Sequence, residues 1–274
     1  MKTILVPVML GRLDAGAIEA AVVLADVVDA RVDVLIGLSA VSPLTAGWDY
    51  FPASPYDTLD EAAKAAAEAM AADASALLPG TRHSVRVAGA FWQTPAEQTL
   101  SAARTADIIV LGRPPQALEA DDRLFASTLL GAGRPIIVVP ESAGGVAGFG
   151  RVVVAWRPTP EATRAVHDAI PLLQRAQSVQ IVRLLDVAGE ADGAGSVDRE
   201  LIRHLERHGV RPEFTCLPHR DAPKGERILA FAQQAAVDLI VAGGYGHPRA
   251  FEHVFGGVTR TLLRESPVPV FFSH

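Results

Sequence analysis

The chain has one cysteine, Cys216, among its 274 residues, so it cannot form a disulfide within itself. A sequence without a disulfide framework fits a reducing compartment. Long hydrophobic runs are also missing, because no stretch of about 18 consecutive apolar residues occurs. We therefore expect a cytoplasmic protein with no membrane association.

Basic residues are scattered along the chain and are outnumbered by acidic ones. There are 25 Lys and Arg residues against 31 Asp and Glu residues, a net charge of −6, which argues against a nucleic-acid partner. Two common phosphate-binding patterns, GxxxxGK[ST] and GxGxxG, are absent. Hydrophobic residues, at 49 % of the chain, supply ample material for a core.

The sequence repeats itself, which indicates two domains of one kind. The matching segments and their offsets are 4–8 with 152–156 (148), 106–112 with 237–243 (131), and 134–139 with 266–271 (132). The difference between the first two offsets gives the first copy 17 extra residues, which we place in the Pro- and aromatic-rich segment 39–57. A glycine-rich linker at 141–150 then separates the predicted domains, 1–145 and 146–274.

Short apolar strands alternate with alanine-rich amphipathic segments in both copies. The first copy has predicted strands 2–8, 31–38, 84–89, 107–112 and 135–140, and helices 13–28, 57–78, 95–105 and 121–132. The second copy has predicted strands 151–156, 178–186, 211–217, 238–243 and 268–273, and helices 160–176, 196–208, 223–236 and 248–265. Strands that are apolar throughout indicate burial on both faces. We therefore predict an α/β fold of two tandem domains, each a five-stranded parallel doubly wound sheet with flanking helices.

A glycine loop follows the fourth strand of the second copy. Its spacing is Gly243, two residues, Gly246, nine residues, Gly256. The loop joins a buried-looking strand to a helix, and a helix N-terminus attracts anions through its free N–H groups and its dipole. Doubly wound sheets bind ligands at this edge, beyond the carboxyl ends of their strands. The loop is therefore a candidate anion site.

The glycine spacing, the Asp-Leu-Ile-Val strand before it and the closing Ser-Pro-Val-Pro-Val strand resemble the tandem type of the universal stress protein family. The resemblance covers essentially the whole chain. It implies a stress-response protein that works as a nucleotide-dependent switch, with an adenine nucleotide such as ATP or AMP, with or without Mg²⁺, and no structural metal. It also implies that the two domains pair through their fifth strands as a pseudo-dimer, and a homodimer stays open.

The resemblance also implies where the nucleotide would lie. In members that bind ATP, the glycine loop wraps the phosphates and adenine lies near the ends of strands one and two. Carried over by motif, the phosphate cradle comprises Gly243, Gly246, Gly256, Gly257, Val258 and Thr259. The other predicted nucleotide-binding residues are His247 and Arg249 in the loop and Ala155, Trp156 and Arg157 at the end of the first strand.

Two residues depart from the family pattern. Gly257 stands where ATP-binding members usually have Ser or Thr, and losing that hydroxyl's hydrogen bond to a charged phosphate would weaken binding by about 10- to 150-fold. Arg157 stands where members that bind adenosine often have Asp. A guanidinium cannot accept a hydrogen bond, but it attracts anions. In the first copy the position of that Asp falls near Met9-Leu10.

The first copy has a degenerate loop. After Gly112 come Arg113, Pro114 and Pro115, so the second glycine is missing and two residues lack an N–H donor. We therefore expect one nucleotide site, in the second domain.

Histidines offer a weaker candidate site. His204 and His208 lie four apart on a predicted helix, in the order His-x-Glu-x-His, without an evident third ligand. We favour the interpretation that His208 lies at the helix C-terminus, just before Gly209, over the interpretation that it binds a metal.

No catalytic set is recognisable, since a Gly-x-Ser-x-Gly elbow and a convincing base are both missing. An enzyme is therefore not expected, beyond slow ATP hydrolysis.

Two alternatives to a nucleotide switch stay open. One is a nucleotide-free interaction module that contacts a partner through segment 39–57, whose aromatic residues otherwise cover the core. The other is a slow nucleotide hydrolase or a binder of a different anionic metabolite, suggested by Arg157, His247 and Arg249.

Overall fold

The computed structural model describes residues 1–37, 54–88, 93–113, 119–141, 146, 148–185, 195–218, 222–244 and 257–274. Within them, ten strands alternate with eight helices. The strands are β1 (Thr3–Met9), β2 (Arg31–Gly37), β3 (His83–Val87), β4 (Ile108–Gly112), β5 (Ile136–Val139), β6 (Arg151–Trp156), β7 (Ser178–Leu185), β8 (Glu213–Pro218), β9 (Leu239–Gly243) and β10 (Val270–Ser273). The helices are α1 (Ala15–Val28), α2 (Ser54–Ala76), α3 (Pro95–Ala103), α4 (Glu119–Gly131), α5 (Pro160–Leu173), α6 (Ser196–Arg207), α7 (Lys224–Gln234) and α8 (Gly257–Glu265).

The ten strands form one sheet in the order β3-β2-β1-β4-β5-β10-β9-β6-β7-β8. Each half has the same internal order, and the halves meet at their fifth strands. Neighbouring strands are parallel within each half, whereas β5 and β10 pair antiparallel. The predicted doubly wound halves and their pairing through the fifth strand are confirmed, and the two predicted sheets are joined into one.

The central strand pair has the geometry of a local two-fold axis. Ile136 pairs with Ile109 of β4, and Val270 pairs with Ile240 at the matching place of β9. Ile136 and Val270 are therefore equivalent residues of the two halves. The next residues, Ile137 and Phe271, are then also equivalent, and they lie directly opposite each other across the antiparallel pair. A pair of equivalent residues facing each other marks the axis of a self-complementary interface. Both side chains are fully buried.

The same register corrects the third repeat offset. Pro135 accepts a hydrogen bond from Ile109 N, and Pro269 accepts the equivalent one from Ile240 N, each at 3.0 Å. The offset is therefore 134 rather than 132, and the predicted alignment of Pro135 with Pro267 is wrong. The closing segment has two prolines two residues apart. A shift of two keeps every strand side chain on the same face, so the apolar pattern could not separate the two alignments.

The remaining elements agree with the predicted ones to within a few residues. The clearest difference is α2, which begins at Ser54, inside the predicted loop 39–57. Pro55 follows in its first turn, where a missing N–H costs nothing. The rest of that loop, with Trp48, Tyr50 and Phe51, lies outside the described residues, as do residues 248–256 of the last predicted helix. Of the helices that are described, none is both long and apolar enough to cross a membrane.

The sheet is covered by helices on both faces. Alternate residues of β6 show this, since Val152 and Val154 pack into a cluster with α1, α2, α5 and α6, whereas Val153 packs into a cluster with α3, α4, α7 and α8. This burial of both faces is what the continuous apolar strands predicted.

A buried carboxylate fixes α6 to the end of β6. Asp198 is fully buried, and it accepts hydrogen bonds from Trp156 Nε1 at 2.9 Å, Gly195 N at 2.7 Å and Arg183 Nη1 at 2.5 Å. Three donors, one of them cationic, compensate for the loss of water around the carboxylate. The contact orients the N-terminus of α6 beside the carboxyl end of β6.

Replacement of Asp198 by Ala is expected to lower the free energy of unfolding by about 2–4 kcal/mol, because it leaves the guanidinium and the indole N–H without their buried acceptor. Urea unfolding followed by tryptophan fluorescence measures this loss. The matched control is Glu200→Ala on the same helix, whose ion pair with Arg203 is exposed and should contribute less than about 0.5 kcal/mol. Equal losses in the two variants would contradict the proposed role of Asp198.

Candidate functional site

Each half has a switch point where its first and fourth strands lie side by side. These pairs are β1 with β4 and β6 with β9. The connections leave the two strands toward opposite faces of the sheet, which opens a crevice beyond their carboxyl ends. The two crevices are topologically equivalent, but their residues differ.

In the second half, Gly243 brings the end of β9 against the N-terminus of α5. A Cβ atom at Gly243 would lie 2.6 Å from Ala162 N and 2.7 Å from the carbonyl carbon of Glu161, so only glycine fits here without a backbone shift. Thr159 is the N-cap of α5, and its hydroxyl accepts from Ala162 N at 3.4 Å. The positive end of the α5 dipole therefore lies beside the first residue of the glycine loop.

The next residue, Gly244, connects the base of the loop to the first half. Its N–H donates to Ser273 O at 2.8 Å, and its carbonyl lies 3.0 Å from His274 Nδ1. A Cβ atom at Gly244 would lie 2.6 Å from Leu129 Cδ2 of α4. The loop thus begins in direct contact with a helix of the other half.

Helix α8 supplies a second N-terminus at the same edge, because a helix between two parallel strands runs antiparallel to both. Gly257 is its first residue, and a Cβ atom there would meet none of the described atoms within 4 Å. Val258 is half-buried against the core, and Thr259 is buried. Gly246, His247, Arg249 and Gly256 lie outside the described residues.

The three predicted nucleotide-binding residues at the end of β6 lie in three different environments. Ala155 faces the cluster with α7 and α8. Trp156 points into the opposite core, where Asp198 binds its indole N–H, so only its backbone is available at the strand end. Arg157 is exposed beyond the strand, and its guanidinium has no hydrogen bond or ion pair with any residue in the described ranges.

In the first half, a cation occupies the place of Gly244. Arg113 N donates to Val139 O at 2.7 Å, the bond that matches Gly244 N to Ser273 O. Its guanidinium reaches into the second half and donates to Ser266 O. Burial lowers the pKa of Arg113, and nearby Glu141 opposes that shift. The residue that should open the first-half loop therefore links the two halves instead.

The first-half crevice keeps a small cavity of about 50 Å³. It is lined by Pro7, Val8, Met9, Arg12, Asp14, Leu111, Gly112, Leu124 and Phe125. A Cβ atom at Gly112 would lie 1.4 Å from Asp14 Oδ2, so the glycine makes room for this carboxylate. Ligand pockets usually measure about 300–1,000 Å³, and the cavity is far smaller than a nucleotide needs.

Sequence reasoning placed the strand-one acid of the first half near Met9-Leu10 and missed Asp14. Asp14 could have been predicted from its position just before the alanine-rich helix α1, because Asp is a common N-cap residue. Asp14 Oδ1 accepts from Ala17 N at 3.0 Å, so its observed role is to cap that helix.

The histidines on α6 have a third neighbour that sequence reasoning also missed. The ring centroids of His167 and His204 lie 4.8 Å apart, and those of His204 and His208 lie 4.7 Å apart. His167 is on α5, so only the packing of the two helices brings it to the pair. His208 is the C-cap of α6 as predicted, followed by Gly209 at a φ of 79°.

These imidazoles pack without a metal-binding arrangement. A search of the described residues finds no group of three or more His, Cys, Asp or Glu side chains that could hold an ion. His204 Nε2 is buried and has no hydrogen-bond partner in this part of the chain. Burial lowers the pKa of His204, and the nearby His167, His208 and Arg207 lower it further.

Comparison with known proteins yields one family and a set of similar folds. The model of the universal stress protein family matches residues 148–274. A universal stress protein from Archaeoglobus fulgidus DSM 4304 is 17 % identical with a TM-score of 0.72, covering 99 % of this chain and 97 % of that chain. A functionally unknown protein from Pseudomonas aeruginosa PAO1 is 16 % identical with a TM-score of 0.59, covering 100 % and 92 %.

A shorter match is the universal stress protein from Archaeoglobus fulgidus in complex with dAMP. It is 17 % identical and covers 50 % of this chain and 97 % of that chain, but its TM-score of 0.34 is too low for a comparison of sites. No curated protein matches the sequence. The full-length likenesses show the fold of the whole chain.

The lowered pKa of His204 predicts a loss of stability in acid. Below the ordinary histidine pKa of 6.5, the unfolded chain takes up this proton before the folded protein does, so the free energy of unfolding falls as pH drops through that window. We expect His204→Gln to reduce the decrease in melting temperature between about pH 7 and pH 5. The control His83→Gln removes a histidine from β3, outside the cluster. A pH dependence that His204→Gln leaves unchanged would refute this assignment.

Proposed function

Because the model of the universal stress protein family matches residues 148–274, we propose that the second half of this chain binds an adenine nucleotide. The phosphates lie against the glycine loop beyond β9, and adenine lies near the carboxyl ends of β6 and β7. The protein then acts in the stress response as a nucleotide-dependent switch, with one site for two domains, 1–145 and 146–274.

The observation that carries this proposal is the contact of Gly243 with the first turn of α5. It leaves no room for a side chain at position 243 and sets this first residue of the loop at a helix N-terminus. The N-terminus of α8 lies at the same edge of the sheet, at Gly257. Two helix dipoles and a run of backbone N–H groups suit the negative charge of a di- or triphosphate.

Positively charged side chains reinforce the preference of this crevice for a negatively charged ligand. Arg157 is exposed at the end of β6, and His247 and Arg249 belong to the loop sequence. In the proposal these side chains contact phosphate oxygens, and Gly246, Gly256, Val258 and Thr259 contribute backbone around them. Ala155 and Trp156 contribute backbone at the adenine end. A metal ion such as Mg²⁺ would accompany a triphosphate rather than bind the protein alone.

The contact between the base of the loop and α4 links ligand binding in the second half to the first half. Gly244 is in contact with Leu129 of α4, so a ligand that binds the loop also favours one position of α4. A ligand shifts such an equilibrium only through its different affinity for the two states. In the proposal the first half receives this signal, because its own crevice holds only a small cavity and Arg113 links it to the second half.

A nucleotide-free interaction module is the second candidate. Arg157 in place of an acceptor and Gly257 in place of a hydroxyl favour it, since each removes a hydrogen bond to a nucleotide. The first-half crevice, whose cavity measures only about 50 Å³, supports the view that the same fold can lack such a site. The binding measurements below separate the two candidates.

Wild-type protein is expected to bind ATP, ADP or AMP in isothermal titration calorimetry, and Gly243→Ala should weaken the binding at least about tenfold, the cost of one charge-assisted hydrogen bond. The added methyl group forces the start of the loop away from the N-terminus of α5. Gly148→Ala is the matched control, because Gly148 precedes β6, at the opposite edge of the sheet from the crevice, and a Cβ atom there would meet none of the described atoms within 4 Å. Absence of heat with every nucleotide would reject the nucleotide proposal and favour the interaction module.

Replacing Gly257 by Ser should strengthen ATP binding by about 10- to 150-fold, because it supplies a hydroxyl that can donate to a phosphate oxygen. A Cβ atom at Gly257 would meet none of the described atoms within 4 Å, so the side chain displaces none of these described neighbours. The comparison with Gly257→Ala isolates the hydroxyl from the change in backbone freedom. Equal affinities for ATP in the Ser and Ala variants would show that no phosphate lies at this position.

A further inference from the structure

Both polar backbone groups of Gly244, the residue after β9, are bound by the end of β10. Gly244 N donates to Ser273 O at 2.8 Å, and the Gly244 carbonyl oxygen lies 3.0 Å from His274 Nδ1. A carbonyl oxygen can only accept, so the hydrogen lies on Nδ1 of the imidazole. His274 therefore fixes the carbonyl at the base of the glycine loop, and the contact holds the neutral ring in its Nδ1–H tautomer.

The equivalent carbonyl of the first half is bound by a different side chain. Arg113 takes the place of Gly244, and the Arg113 carbonyl accepts from Arg12 Nη2 at 3.1 Å. At the fifth-strand offset of 134, the residue that corresponds to His274 is Pro140. Proline has no side-chain donor, so this half uses an arginine from the connection after β1 where the second half uses a histidine from the end of β10.

Arg12 and Arg157 occupy the same place in the two halves, counted from the helix that follows. Each lies two residues before an N-cap residue, Asp14 for α1 and Thr159 for α5. Arg12 is engaged by the carbonyl and also lies 3.4 Å from Glu141 Oε1. Arg157 has no hydrogen bond or ion pair with any residue in the described part of the chain. The half in which a histidine binds the carbonyl is thus the half whose arginine is not engaged by those residues.

We propose that His274 positions the base of the glycine loop and thereby leaves Arg157 available to an anionic ligand. An unbound carbonyl at this place would attract the neighbouring guanidinium, as the Arg113 carbonyl attracts Arg12, because a cation strengthens a hydrogen bond to oxygen. With the carbonyl already bound by the imidazole, the charge and the N–H groups of Arg157 are left for phosphate oxygens. This assignment deepens the nucleotide site proposed above and rests on it.

The contact of His274 can be tested without a ligand. Nitrogen-15 NMR of the ligand-free protein should show the neutral imidazole of His274 with its hydrogen on Nδ1. His274→Ala should speed hydrogen exchange at the Gly244 amide by about 2- to 10-fold, the effect of one lost hydrogen bond on local opening. His274→Asn should exchange at the wild-type rate, because its side-chain amide retains an N–H donor. A hydrogen on Nε2, or equal exchange in wild-type protein and His274→Ala, would overturn the assignment.

A double-mutant cycle measured by calorimetry with ATP tests the release of Arg157. Arg157→Ala should weaken binding at least about tenfold in wild-type protein, the effect of one charge-assisted hydrogen bond. In His274→Ala the same change should cost less than about threefold, because the Gly244 carbonyl then engages Arg157. In His274→Asn the loss should return to about tenfold. Arg12→Ala removes the arginine at the same place of the first half and should leave the affinity for ATP unchanged.

The outcomes separate the residue from the site. If wild-type protein binds no ATP, the proposed function fails and the release of Arg157 fails with it, even where NMR confirms the contact of His274. If ATP binds and Arg157→Ala weakens it by the same factor with and without His274, the nucleotide site stands and the role of His274 is wrong. If His274→Asn behaves as His274→Ala does, the N–H donor is not the cause, which also contradicts the assignment. Thermal melting of each variant identifies any general loss of folding.

Discussion

The antiparallel pairing of β5 with β10 is the interaction on which the rest of this architecture depends. It joins two five-stranded halves into one sheet and buries Ile137 and Phe271 on the local two-fold axis. Without it each half would expose an apolar edge strand with unpaired backbone groups, which invites association with other chains. The pairing also brings each switch point close to the other half, through Arg113 and Ser266 on one side and Gly244 and Leu129 on the other.

This symmetry makes the differences between the halves informative. Arg113 and Gly244 occupy equivalent places, with matching backbone hydrogen bonds to the fifth strand. Glycine at that place packs against Leu129 of the neighbouring half, whereas arginine reaches across and donates to Ser266 O, which ties the halves together. One duplicated unit is thus used as a candidate binding site and the other as a support. A half-buried guanidinium that donates to a carbonyl of the other half suits the second use.

The candidate site combines residues with opposite electrostatic requirements. Asp198 is buried and fully paired, and it fixes the end of β6. Arg157 projects from that end toward solvent, and Glu161 presents a buried oxygen without a described partner.

The sequence by itself determined the strands, the helices and the position of the glycine loop, because apolar period and glycine spacing are local properties of the chain. It could not determine the fifth-strand offset, since a shift of two residues preserves the apolar pattern and only hydrogen bonding distinguishes Pro267 from Pro269. It also could not place His167 beside His204, or Trp156 in the core instead of the crevice. Those positions depend on how α5 and α6 pack against β6, which involves residues far apart in the chain. Tertiary structure alone therefore decided which side chains meet, including the unsatisfied carboxylate of Glu161.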